Sequence, residues 1–90
     1  MQKVIAQFTL PGMTSGQYDQ VIKDLRAAGH EHPEKRICHV ASELPDGWFV
    51  IDIWESAGAL NEFARILMPV LVQNGVTPPE PALLPVYNVM

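Results

Sequence analysis

From residue 3 to residue 10 the chain alternates. Val4, Ala6, Phe8 and Leu10 point one way, Lys3, Ile5, Gln7 and Thr9 the other, which is the period of a β-strand. Pro11-Gly12 ends it. Thr14-Ser15-Gly16-Gln17 has the form of a capping box, a hydroxyl and a side-chain amide three residues apart serving free backbone groups. Tyr18, Val21, Ile22 and Leu25 then fall on one helix face, which Gly29 closes. After a polar loop broken by Pro33, residues 36–44 predict a second strand, Leu44-Pro45-Asp46-Gly47 a hairpin, and residues 48–55 a third strand. Ser56 caps a second helix whose inner face carries Leu60, Phe63, Ala64, Leu67, Met68 and Leu71. Pro69 lacks an N–H, so a kink or break is expected there, with Pro69 opening a last short turn before Gly75. Residues 77–81 read as an extended linker and 82–89 as a fourth strand.

The order β-α-β-β-α-β predicts an α+β, ferredoxin-like domain spanning residues 1–90, a four-stranded antiparallel sheet with two helices on one face. Right-handed crossovers place strands one and three at the centre and two and four at the edges. Pro85 agrees, because proline in a strand favours an edge. The second face of the sheet is bare, and strand three carries apolar residues toward both faces. The simplest cover is the same surface of a second copy.

Composition strengthens that expectation. Of 90 residues, 48% are hydrophobic and only 18% charged, much apolar material for a small monomer to hide, so a homodimer is expected. The net charge is −4 and Lys35-Arg36 is the only basic pair, which argues against nucleic-acid binding through phosphates. The single cysteine, Cys38, permits neither an intrachain disulfide nor a thiolate metal cluster and fits a reducing, cytoplasmic setting. The short apolar run at the N-terminus does not have the form of a signal peptide, and no segment approaches the length of a membrane span.

The candidate chemistry lies on the hairpin. Asp52 is a lone acid in an apolar strand and needs a partner. With an even loop, odd positions of strand two share a face with even positions of strand three. A four-residue loop, Leu44 to Gly47, puts His39 directly opposite Asp52; a two-residue loop makes them diagonal neighbours. Either way His39, Ala41, Trp48, Val50, Asp52 and Trp54 share one face. Asp52 would orient the imidazole and hold it ready to take or give a proton, while Trp48, Trp54 and Phe63 would wall a flat apolar ligand. The alternative is a structural hydrogen bond among core tryptophans. Tyr87 and Asn88 are further candidates to line a pocket. His30-Glu31-His32 with Glu34 matches no standard zinc spacing and reads as a solvated turn. Cys38 reads as a buried, inert thiol.

The element order, Ile37-Cys38-His39-Val40-Ala41, Asp46-Gly47-Trp48, Asp52-Ile53-Trp54-Glu55-Ser56 and the Leu60…Phe63 helix together resemble the dimeric α/β-barrel superfamily. Within it the chain is most similar to small proteins related to the antibiotic-biosynthesis monooxygenases, over nearly its whole length. The resemblance implies a homodimer whose sheets pack into a barrel, and a pocket between sheet and helices in each subunit. Some members oxidise aromatic polyketides with oxygen and no metal or flavin, so no cofactor is implied. Others degrade haem, using an asparagine on strand one and a tryptophan and a histidine on helix two. Here strand one has Gln7 but no Asn, and residues 56–73 contain neither Trp nor His, so haem degradation is not expected. The alternative to an enzyme is a non-catalytic dimer that binds a small ligand or serves a structural role.

Overall fold

The computed structural model of the chain describes residues 2–90. Its elements are β1 (Val4–Pro11), α1 (Ser15–Ala27), β2 (Arg36–Leu44), β3 (Gly47–Trp54), α2 (Ala57–Gln73) and β4 (Ala82–Pro85). The capping box forms: the Gln17 N–H donates to Thr14 Oγ1 at 3.1 Å and the Thr14 N–H to Gln17 Oε1 at 2.9 Å. Ser56 Oγ accepts from the Ala59 N–H at the start of α2. The strands pair antiparallel in the order β2-β3-β1-β4, so β1 and β3 are central and β2 and β4 are edges, as the pattern predicts. The fold is ferredoxin-like.

The core lies between one sheet face and the helices. Ala6, Leu10, Val50 and Trp54 pack with Val21 and Leu25 of α1 and with Leu60, Phe63 and Leu71 of α2. Each large apolar side chain removed from water there contributes about 1.5–3 kcal/mol. Trp54 is the most deeply buried large residue, and its ring meets Phe63 at 5.3 Å between centroids. The helices are also tied to each other. Gln17 Nε2 donates to the Asn74 carbonyl, and Asn74 Nδ2 donates to Asp24 Oδ2, both at 3.0 Å.

Three expectations are corrected. First, α2 runs unbroken through Pro69. Proline deletes one helical bond, to the Arg65 carbonyl, but Pro69 and Arg65 lie on the exposed face, where water can serve that carbonyl. Burial of Phe63 and Leu71 on either side holds the helix together. Second, Met68 is not on the inner face; it is 46% exposed. Third, β4 ends at Pro85 rather than residue 89. Pro85 pairs with Val4, the first residue of β1, so the chain beyond has little strand left to join. Val86 adds one last bond, its N–H to the Lys3 carbonyl at 2.9 Å.

The hairpin controls the site. Leu44 pairs with Gly47, leaving a two-residue loop, Pro45-Asp46. Because the loop falls there and not one position later, His39 is still directly opposite Asp52. Gly47 is required by contact: a Cβ on it would stand 2.7 Å from the Leu10 carbonyl oxygen of β1. Further along β2 a bulge at Ile37 interrupts the ladder, which resumes with Arg36 opposite Trp54. One extra residue thus turns Arg36, rather than Ile37, to the helix side.

The opposite sheet face has no helix over it. Its cross-strand rows are Cys38–Ile53–Ile5–Leu84 and Val40–Ile51–Gln7–Ala82, with Phe49 beyond. Val40 and Leu84 are at least half exposed. Among the described residues no helix is long and apolar enough to cross a membrane.

Candidate functional site

Asp52 is the one buried charged residue among those described. Its two oxygens are both engaged: His39 Nδ1 lies 2.5 Å from Oδ1, and Trp54 Nε1–H donates to Oδ2 at 3.3 Å. A carboxylate only accepts, so Nδ1 carries the hydrogen. In the neutral ring Nε2 is then an acceptor, and the Tyr18 hydroxyl donates to it at 2.6 Å. Tyr18, on α1, thus completes a run Tyr18–His39–Asp52–Trp54 that spans helix and sheet. Burial raises the Tyr18 phenol above its ordinary value; the Arg36 charge opposes this, and Asp52 and Asp19 reinforce it.

The Tyr18 ring stacks on Trp48 and lies nearly parallel to the His39 ring that its hydroxyl bonds. Its centroid lies 5.0 Å from Trp48 at 29° and 6.2 Å from His39 at 5°. These side chains, with Asp52 and Arg36, border a small, mostly apolar cavity of about 60 Å³ also lined by Phe8 and Phe63. An open groove of about 390 Å³ on the outer side of α1 and β2 shares the wall formed by Tyr18, Ile22, Arg36 and His39. The His39 side chain is 23% exposed through that wall. The Trp48 indole N–H is buried and has no hydrogen-bond partner among the described residues, a condition that costs about 1–3 kcal/mol.

No protein-family model and no curated protein matches the chain in sequence. Solved structures match its shape. A candidate antibiotic biosynthesis monooxygenase from Deinococcus radiodurans superimposes with a TM-score of 0.64 at 15% identity, over 97% of this chain and 95% of that one. SnoaB, a cofactor-independent oxygenase from Streptomyces nogalater, gives 0.65 at 10% identity, over 99% and 96%. The fold is that of the antibiotic biosynthesis monooxygenase-like proteins. A further candidate of this kind, from Chloroflexus aurantiacus, gives 0.55 at 13% identity, over 99% and 95%. At such identities the likeness to antibiotic biosynthesis monooxygenase-like proteins is one of fold, and activity has to be argued from side chains.

Of the residues singled out from sequence, the structure brings His39, Asp52, Trp48, Trp54 and Phe63 together. It does not bring Tyr87, which is fully exposed in the segment beyond β4, beside Lys3 and Asn88. Cys38 is exposed on the helix-free face of edge strand β2, not buried. Glu31 of the polar loop pairs with Arg26, at 2.8 Å to Nε. Two site residues were missed by sequence reasoning. Tyr18 falls on one helix face with Val21, Ile22 and Leu25, and no local signal tells that its hydroxyl reaches β2. Arg36 enters through a bulge that leaves no mark in the sequence.

Proposed function

We propose that the protein is a homodimeric, cofactor-independent enzyme of the oxygenase type, acting on a small, flat, largely apolar molecule with an acidic C–H or O–H. The observation that carries this reading is the continuous hydrogen-bonded run from Asp52 through His39 to Tyr18, ending at the wall of an apolar cavity. The likeness in shape to SnoaB supports it. Tyr18 passes a proton without holding a negative charge: its oxygen takes the substrate's proton while its own hydrogen moves to His39 Nε2. Asp52 then faces the imidazolium as its counter-ion. The substrate carbanion gives electrons to dioxygen and a C–O bond forms; the proton held on His39 returns through Tyr18 to the peroxide, and the hydroperoxide breaks its O–O and remaining C–H bonds, so that CH₂ and O₂ become C=O and H₂O. The homodimer would form through the helix-free rows of Ile5, Ile51, Ile53 and Leu84, whose exposure otherwise forgoes their burial.

The test is oxygen uptake with anthrone, a flat ketone with an acidic CH₂, measured above its spontaneous oxidation. Turnover that is lost in His39→Ala and Tyr18→Phe, with the fold intact, is expected; equal rates in all three proteins would refute the proposal. Asp52→Asn is expected to lower the rate by weakening the orientation of the ring. One observation favours a non-catalytic dimer instead: about 60 Å³ is well short of the roughly 150 Å³ that admits a benzene, so a ring enters only if wall side chains move. Under that reading the same substitutions chiefly lower stability, by about 1–3 kcal/mol.

A further inference from the structure

We infer that the Trp48 indole N–H is a ligand-binding donor, and that the molecule bound at this site presents an acceptor oxygen, as a ketone, enol or phenol does. This rests on the site proposed above and names the chemistry of its ligand. The two indoles of the chain make the contrast. Trp54 Nε1–H is buried and bonded to Asp52; Trp48 Nε1–H is buried, with the residue only 8% exposed, and bonded to nothing. It is the one buried side-chain polar atom among the described residues left in that condition. At Trp48 no acceptor is engaged: the cross-strand neighbours are Leu10 on β1 and Glu43 on β2, and the exposed Glu43 carboxylate makes no bond to the indole. Trp48 also borders the cavity shared with Tyr18 and His39 and stacks on Tyr18.

Two roles follow from that placement. The Tyr18–His39 pair takes a proton from the ligand, and the Trp48 N–H donates to the oxygen on which charge develops, in a mostly apolar setting that strengthens such a bond. The cavity, about 60 Å³, admits the oxygen-bearing edge of a ring and not the whole ring. The body of the molecule then lies in the outer groove, across the wall of Tyr18, Ile22, Arg36 and His39.

The experiment is NMR of the intact protein, with phenol and toluene as probes of equal size that differ in the oxygen. Two tryptophans give two indole N–H resonances, assigned with Trp54→Phe. Phenol is expected to move the Trp48 indole proton downfield and slow its exchange, and toluene to do neither. Phenol is expected to bind about tenfold tighter than toluene, and Trp48→Phe to erase that preference. If Trp48→Phe does not fold, the wild-type shifts still decide. Absence of phenol binding at millimolar concentration, binding with the Trp48 resonance unmoved, or a long-lived water already on that N–H that phenol leaves in place would each overturn the inference. Failure of the anthrone assay with the phenol shift intact would remove the oxygenase reading and leave this one standing.

Discussion

In the proposed reaction Tyr18 meets the substrate, and its phenol can be followed directly. Burial holds its pKa above 10.0, against Arg36 and with help from Asp52 and Asp19. A group whose pKa is higher folded than unfolded keeps its proton longer when folded. Its contribution to stability is complete below pH 10 and is lost as pH rises from there through the folded value. In Tyr87→Phe, where Tyr18 is the only tyrosine left, phenolate absorbance near 295 nm is expected to have its midpoint above pH 10. Above that pH, wild type is expected to lose unfolding free energy more steeply than Tyr18→Phe. A midpoint below 10 would contradict the burial of the hydroxyl and weaken the relay with it.

At the scale of elements, α2 tolerates Pro69 because the cost falls on its exposed side. Pro69→Ala should therefore restore the bond to Arg65 without disturbing the core. The variant is expected to be more stable by about 1–3 kcal/mol in urea unfolding; an unchanged or lower value would mean that the proline is packed to a purpose. The same helix shows what sequence could and could not tell. Its cap, its apolar face at Leu60, Phe63 and Leu71 and its end at Gly75 are local patterns, and each was legible. The survival of the helix through Pro69 was not, because it depends on tertiary burial on either side. Likewise any even loop puts His39 and Asp52 on one face, so that much of the site could be read; their direct opposition depends on the loop falling at Pro45-Asp46. Tyr18 and Arg36 could not be read, since one depends on how α1 docks and the other on a bulge.

For the whole molecule, the proposed homodimer rests on the helix-free face. Ile51→Glu puts a charge at the centre of the row Val40–Ile51–Gln7 without touching the helix-side core. Sedimentation is expected to show a dimer for wild type and a monomer for the variant, and the exposed thiol of Cys38 should react faster in the monomer. A wild-type monomer at micromolar concentration would sink the dimer. The bulge at Ile37 has a bearing on solubility as well. β2 is a nine-residue edge strand, and an edge of that length offers a template on which another chain can add. The extra residue bends and interrupts that template. Deleting Ile37 would leave Arg36 opposite Trp54 and make the ladder continuous, so the variant should fold with its site in register and yet aggregate more readily on warming, as light scattering would record. The one-residue irregularity that admits an arginine to the cavity is thus expected to guard the edge of the sheet as well.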